Sequence, residues 1–427
     1  MVRLLKKVAN NARVKQLGPG LITGAADDDP SGIATYSQAG AQFGYSMLWS
    51  VLLTYPLMVG IQMVSARLGC ITGRGLAANV KAVFPPPVLY GLVGLLLVAN
   101  TINIAADIAA MGEAMRLLAG GSARLYSVGF GALCLGLQVY LRYQTYVRYL
   151  KWLTLALLSY AAVLFMVRAP WGQVFSESLF PHLWLDNNAI TMVVAVFGTT
   201  ISPYMFFWQA AQEMEDLRAG GAIRADGVLQ PHDVATARRH LRRIRWDTYL
   251  GMGFSNLIAF CIILSTAATL HAAGIRNIQT ASQAAEALRP LGGQLTFLLF
   301  SLGIIGTGML AVPVLAGSAA YAVAESFEWR SGLDMRLREA RGFYTLIAVA
   351  TLGGVILNFT HLDAMRALLW SAEINGIIAV PIMAVMMLLA ARVDVMGSFV
   401  IRPRLRRLGW TATGVMAATV VAMVATL

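Results

Sequence analysis

Hydrophobic positions in this chain come in long unbroken runs. They do not alternate as in strands, and they do not form the single stripe of a surface helix. Eleven runs are long enough to cross a bilayer as helices: about 17–43, 44–69, 87–118, 123–141, 146–168, 188–216, 244–270, 293–325, 342–358, 364–391 and 408–427. Runs of this length predict an all-α polytopic membrane protein and exclude a β-barrel, whose strands are about half as long. Between the fifth and sixth runs, Trp171 to Leu185 is amphipathic and is expected to lie on the membrane surface. A polar piece of helical character, 279–289, leads into the eighth run.

Two of the runs are interrupted by residues that do not belong at mid-membrane. The first reads Leu17-Gly-Pro-Gly, then Asp27-Asp28-Asp29-Pro30-Ser31-Gly32, then Ile33-Ala34-Thr35-Tyr36. A charge at the bilayer centre costs about 3 kcal/mol or more, so such residues face a cavity or a pathway. Pro30, with Ser31 and Gly32, is expected to break the helix and free backbone groups beside the carboxylates. Oxygen-rich and negative, the break suits a cation; the alternative is a capping Asp-Pro turn just outside the membrane. The sixth run carries Gly198-Thr199-Thr200-Ile201-Ser202-Pro203-Tyr204, a second interruption. Alone it could be a proline kink. Paired breaks five runs apart instead point to an inverted-repeat transporter with its site at the midplane. The repeats would be about 17–168 and 188–391, followed by an extra helix at 408–427, all in one transmembrane domain spanning 1–427.

Other polar residues in the runs are weaker candidates. Asn100, Asn103 and Asp107 share one face of the third run, and Glu373 and Asn375 lie in the tenth. The asparagines suit interhelical hydrogen bonding, while Asp107 and Glu373 suit a pathway or a structural role equally.

Composition agrees with the runs: 58% of residues are hydrophobic and only 13% charged, against about a quarter charged in soluble proteins. The net charge of +12 belongs to loops, so it implies no nucleic-acid partner. Arginine and lysine crowd alternate loops: Arg74 and Lys81; Arg142, Arg148 and Lys151; Arg218 to Arg243; Arg330 to Arg341; Arg392 to Arg407. The opposite loops hold scattered ones such as Arg168 and Arg276. This bias predicts a cytoplasmic N-terminus and an extracytoplasmic C-terminus in a plasma (inner) membrane. The basic start (Arg3, Lys6, Lys7, Arg13, Lys15) reads as a cytoplasmic tail rather than a signal peptide. The longest polar loop, Leu217 to Arg243, is expected to be a mobile linker. Cys70, Cys134 and Cys261 show neither metal spacing nor a disulfide framework.

At these breaks, and over nearly the whole chain, the sequence resembles the Nramp divalent-metal transporters, and within them the Nramp-related magnesium transporters. The resemblance rests on Gly-Pro-Gly before the first break, on Asp29-Pro30, on Ile33-Ala34-Thr35 followed by Gln38-Ala39-Gly40, and on eleven spans. It implies the LeuT-type fold, a 5+5 inverted repeat with broken helices one and six plus an eleventh helix. It also implies a metal site. Where the family has Asp-Pro-Gly-Asn, this chain has Asp29-Pro30-Ser31-Gly32; where it has Met-Pro-His, this chain has Ser202-Pro203-Tyr204. Asp29 is thereby implied as a ligand, with Gly32 and Ser202 at the positions of the family's asparagine and methionine. Thr199 and Ala26 are implied as carbonyl ligands, and Glu373 aligns with the family's tenth-helix glutamine, which joins the site in the occluded state. Asp28 is the further carboxylate. Asp107, Asn103, Tyr204 and Gln209 are pathway or coupling candidates: Tyr204 and Gln209 replace histidines, and Ala110 replaces a glutamate three residues after Asp107.

Loss of the thioether removes the soft contact that favours transition metals, and loss of two side chains widens the site. The expectation is a non-enzymatic carrier of hard divalent cations, Mg²⁺ first and Mn²⁺ also, with the metal as cargo rather than cofactor. Proton coupling is expected to be weak and the protein monomeric, partnered by the ions and the lipid bilayer. The rivals are a proton-coupled Mn²⁺/Fe²⁺ carrier, a sodium-coupled organic-solute symporter of the same fold, a channel and a non-transporting receptor.

Overall fold

A residue before proline is driven out of the helical region, and that constraint sets the architecture's central feature. In the computed structural model, Asp29 is extended (φ −68°, ψ 170°) and Pro30 opens a new helix. The structure describes residues 24, 27–141, 153–167, 169–180, 186–219, 234–291, 293–333, 335–359 and 363–426. In chain order the helices are α1 (Pro30–Phe43), α2 (Leu48–Thr72), α3 (Leu76–Val83), α4 (Pro86–Ala119), α5 (Ala123–Tyr140) and α6 (Leu158–Met166). They continue as α7 (Trp171–Leu179), α8 (Asn187–Thr200), α9 (Pro203–Ala219), α10 (Val234–Thr266) and α11 (Ala281–Ala285). The last are α12 (Gly293–Ser326), α13 (Arg341–Leu357), α14 (Ala364–Ala390), α15 (Val393–Met396) and α16 (Pro403–Thr426). No strand occurs among the described residues.

Each of the eleven apolar runs holds a described helix. Among the described residues, seven helical stretches are long and apolar enough to cross a membrane, and one of them, Pro30–Thr72, joins the first two runs. Leu155–Met166 and Arg341–Leu357 are shorter apolar helices. The amphipathic stretch forms α7, with Trp171, Phe175 and Leu179 exposed as a surface helix requires.

The helices that flank the breaks form the centre. α1 packs against α8, α10 and α14; α9 packs against α2 and α12. α4 lies alongside α12, α14, α5 and α13, so it spans from the centre to the periphery. α16 closes against α2 and α14.

Three expectations need correction. The first break falls at Asp28-Asp29, and Pro30, Ser31 and Gly32 form the first turn of α1. A proline at the first helical position loses nothing, because its missing N–H would have had no partner there. The second break is confined to Ile201-Ser202; Gly198 to Thr200 complete α8 and Pro203 opens α9 by the same rule. The polar stretch Leu217 to Arg243 is not all linker, since α9 runs to Ala219 and α10 starts at Val234. Residues 220–233 lie outside the described residues.

Close approach of α8 and α14 depends on Gly198. A Cβ there would lie 2.1 Å from the Ala372 carbonyl oxygen and 2.5 Å from the Gly376 nitrogen, both backbone atoms that cannot step aside. Gly198→Ala should therefore destabilise the protein by about 1–3 kcal/mol, the usual overpacking cost. Gly91→Ala, where nothing lies within 4 Å, should leave the melting temperature unchanged or raise it. Thermal unfolding of the two purified variants in lipid nanodiscs checks the contrast; equal shifts would refute the packing argument.

Candidate functional site

Asp29 is the N-cap of α1. Its Oδ1 accepts from the Gly32 N–H at 2.7 Å, one of the donors a helix start leaves unpaired. Its Oδ2 accepts from Asn103 Nδ2 at 3.1 Å and from the Tyr204 hydroxyl at 3.3 Å. A helix N-terminus, an amide from α4 and a phenol from α9 thus converge on one carboxylate that is 2% exposed. The helix end adds partial positive charge of its own. No lysine, arginine or histidine pairs with Asp29 among the described residues. A buried carboxylate held only by dipoles keeps a net attraction for a cation.

Gly32 is tight rather than open. A Cβ there would meet Thr199 Oγ1 at 3.1 Å, Tyr36 Cε2 at 3.4 Å and Asp29 Oδ1 at 3.5 Å. So Gly32 faces α8 directly across the two breaks. Ser202 donates to the Thr199 carbonyl at 2.7 Å and the Gly198 carbonyl at 3.1 Å, tying off the end of α8. Two of the implied ligands, Ser202 and Thr199, are therefore bonded to each other, although the Ser202 oxygen keeps its lone pairs. Tyr36 and Thr200 bridge α1 and α8 at 3.0 Å. Ser31 donates to the Leu368 carbonyl at 3.2 Å and accepts from Ser371, fastening α1 to α14.

The structure brings Asp29, Asn103, Tyr204, Gly32, Thr199 and Ser202 together. Asp107 is fully buried one turn along α4 from Asn103, and neither of its oxygens has a hydrogen-bond partner among the described residues. The Asn103 side-chain oxygen is likewise unpartnered, so the polar face of α4 holds free acceptors beside the break. Asn100 is the interhelical bond expected of it, donating to the Leu315 carbonyl and to Ser318, both at 2.8 Å.

Other candidates sit apart. Asp28 does not share Asp29's partners: with Asp27 it turns to Ser255 of α10. Gln209 lies further along α9, donating to Glu213 at 3.0 Å and accepting from Gln62 at 3.5 Å. Glu373 lines a cleft of about 400 Å³ with Gln38, Asn188 and Arg276, away from the Asp29 carboxylate. A smaller cleft of about 120 Å³ reaches Ile33 and Ala34 of α1 and is lined by Ala110 and Glu113 of α4. Ala26 lies outside the described residues.

Sequence reasoning missed Ser255 and the ion pairs of Arg243, which reaches Glu213 at 2.7 Å and Asp216 at 3.0 Å. The acidic run Glu213 to Asp216, facing the arginine-rich start of α10, was the available signal for the second.

Fold and site together define a class: a multi-pass helical membrane protein of the LeuT type, with two broken helices meeting at a buried carboxylate. The chain belongs to the Nramp family, since the family described as "Natural resistance-associated macrophage protein-like" matches residues 20–426. It is 26% identical over 415 residues to the divalent metal cation transporter MntH of Burkholderia ambifaria, covering 94% of this chain and 86% of that one. Among solved structures it is similar to the Eremococcus coleocola manganese transporter, with a TM-score of 0.75 at 15% identity over 95% of this chain and 85% of the other. It also resembles MhsT, solved with L-phenylalanine, with a TM-score of 0.62 at 11% identity over 95% of this chain and 97% of the other. These relatives are named as transporters rather than enzymes where a role is given.

Replacing Asn103 by leucine leaves Asp29 Oδ2 with the Tyr204 hydroxyl alone. If the carboxylate is ionised, the loss should be about 1–3 kcal/mol, as for buried charged acceptors. A neutral hydrogen bond between membrane helices averages only ~0.6 kcal/mol. Thermal unfolding of Asn103→Leu in nanodiscs separates the two; no measurable change would show that Asn103 does not hold Asp29.

Proposed function

We propose that this protein carries hard divalent cations, Mg²⁺ first and Mn²⁺ as well, across a cell's plasma membrane by alternating access. The observation that supports this most is the Asp29 carboxylate: buried at the junction of two broken helices, held by three donors and, among the described residues, by no lysine, arginine or histidine. Its hydrogen-bond partners among the described residues, Gly32, Asn103 and Tyr204, carry no sulfur. Asp29 supplies the charge, and Ser202, Asn103 and backbone carbonyls supply further oxygens. Carboxylate, carbonyl, hydroxyl and water ligands suit Mg²⁺, Ca²⁺ and Mn²⁺, whereas thiolate and thioether select softer ions. Mg²⁺ gives up water reluctantly and is usually held through one or two carboxylates. A site with one strong carboxylate anchor and hydroxyl and amide oxygens beside it matches that habit.

In this reading α1 and α9, with the helices they interrupt, move against a scaffold that includes α4, α12 and α13. Single hydrogen bonds fasten the ends of the broken helices to their neighbours, among them Ser31 to α14 and Tyr36 to α8. Weak proton coupling follows from Ala110, Tyr204 and Gln209 standing where titratable groups would relay a proton. The charge bias of the loops supports a cytoplasmic N-terminus. A monomer suffices, because the breaks that frame the site lie within one chain.

A second reading is a proton-coupled Mn²⁺/Fe²⁺ carrier. Two observations favour it: the relatives named as divalent-metal and manganese transporters, and the retained Asp107 carboxylate beside the break.

Asp29→Ala should abolish divalent-cation uptake into proteoliposomes while leaving the protein folded and monodisperse; uptake at the wild-type rate would place the site elsewhere. Gly32→Asn combined with Ser202→Met should shift preference toward Mn²⁺ and cadmium and away from Mg²⁺. Asparagine adds an oxygen and methionine a soft sulfur, and the tight packing at Gly32 means that Thr199 and Tyr36 must give way to the asparagine. Thr199 lies close to both positions, so the double variant need not equal the sum of the singles. Competition of cadmium and Mg²⁺ against Mn²⁺ uptake reads the ranking; an unchanged ranking in a well-folded double variant contradicts the hydrated-ion account.

A further inference from the structure

The three consecutive aspartates do not converge. Asp29 turns toward α4 and α9, whereas Asp27 and Asp28 turn toward α10. There Ser255 Oγ lies 2.8 Å from Asp27 Oδ2 and 3.1 Å from Asp28 Oδ1. The placement is enforced by the backbone. A Cβ on Gly24 would fall 2.2 Å from the Gly251 carbonyl oxygen, so Gly24 lies directly on α10, one turn from Ser255.

Both carboxylates are 1% exposed. The serine hydroxyl has one proton, so it can fully satisfy only one of its two acceptors at a time. Asp28 Oδ2 is buried and has no hydrogen-bond partner among the described residues. Nor does any lysine, arginine or histidine among them pair with either carboxylate. Two adjacent buried carboxylates without a counter-charge are strongly unfavourable in a low-dielectric interior. A doubly charged cation between them cancels both charges; a monovalent one cancels half. The ligands are all oxygen, and water could complete an octahedral shell, which suits a hard divalent ion.

We propose that Asp27, Asp28 and Ser255 form a second station for a hard divalent cation, separate from Asp29 and on the other side of the break from α1. It rests on the reading of Asp29 as a cation ligand and extends it. The cargo then passes between two anionic stations, Asp29 facing α4 and α9 and the Asp27–Asp28 pair facing α10. Binding at more than one site also helps an ion leave, because neither site need hold it alone.

The test is Mn²⁺ binding to the full chain in nanodiscs, followed by electron paramagnetic resonance of free Mn²⁺, with Mg²⁺ as competitor. The wild type should bind two Mn²⁺ per chain, both displaced by Mg²⁺. Asp28→Asn, alone or with Asp27→Asn, should bind one; Asp29→Asn should also bind one. Ser255→Ala, the mildest change, should keep two while weakening one class by roughly five- to tenfold, the worth of one hydroxyl contact. Each variant is first shown to be monodisperse with a cooperative melt. A single Mn²⁺ in the wild type, lost in Asp29→Asn and kept in the Asp27→Asn/Asp28→Asn variant, would overturn the station and leave the Asp29 reading intact. Loss of a bound Mn²⁺ in Asp28→Asn but none in Asp29→Asn would uphold the station and sink the Asp29 reading instead.

Discussion

A carboxylate inside a membrane must be compensated, and the structure around Asp29 is built to that requirement. Its three donors come from three different elements: the first turn of α1, the middle of α4 and the first turn of α9. None carries a full charge. The arrangement therefore stabilises the anion by directed dipoles while leaving its charge uncancelled. An arginine in the same place would have filled the site permanently. Both helix breaks follow from the same demand, since only an interrupted helix presents free N–H groups and carbonyls at mid-depth.

From that junction the rest of the fold takes its arrangement. α8 and α9 must meet α1 at its start; Gly32 lets α1 lie close to α8, and Gly198 lets α8 lie close to α14. Serine and threonine hydroxyls then fasten the ends through single bonds, such as Ser31 to Leu368 and Ser202 to Thr199. Single bonds in a membrane are worth about 1 kcal/mol, small enough for the ends to exchange partners as a carrier cycles. Further along α9, Glu213 and Asp216 are tied to Arg243 of α10, where an ion pair near the end of the bundle joins the second broken helix to a neighbour.

Much of this was legible in the sequence, and the reasons differ by element. The runs were plain because a bilayer demands some twenty apolar residues each time. The breaks were plain because proline and aspartate have no apolar reason to be there. Their positions were misjudged by one or two residues, because proline was taken as the breaker when it starts the next helix, with Asp29 as its cap. Asn103 and Tyr204 were legible as candidates, yet only geometry joins them to Asp29. Ser255 was not legible: a lone serine in an apolar helix looks the same whether it bonds its own backbone or a carboxylate 228 residues away. Arg243 was hidden in a polar stretch whose composition resembles a linker and which the structure makes partly helical. Glu373 lies on α14, in the run expected for it, and its side chain lines a cleft with Arg276.

The account stands on one claim, that a buried carboxylate compensated only by dipoles serves a doubly charged passenger. The most direct measurement is flux through the wild-type protein in proteoliposomes, with Mg²⁺, Mn²⁺ and Ca²⁺ supplied in turn and internal pH followed throughout. The account predicts uptake of Mg²⁺ and Mn²⁺ without acidification in step. Failure to move any of these ions would contradict the claim itself, and acidification that tracks uptake would contradict its uncoupled form.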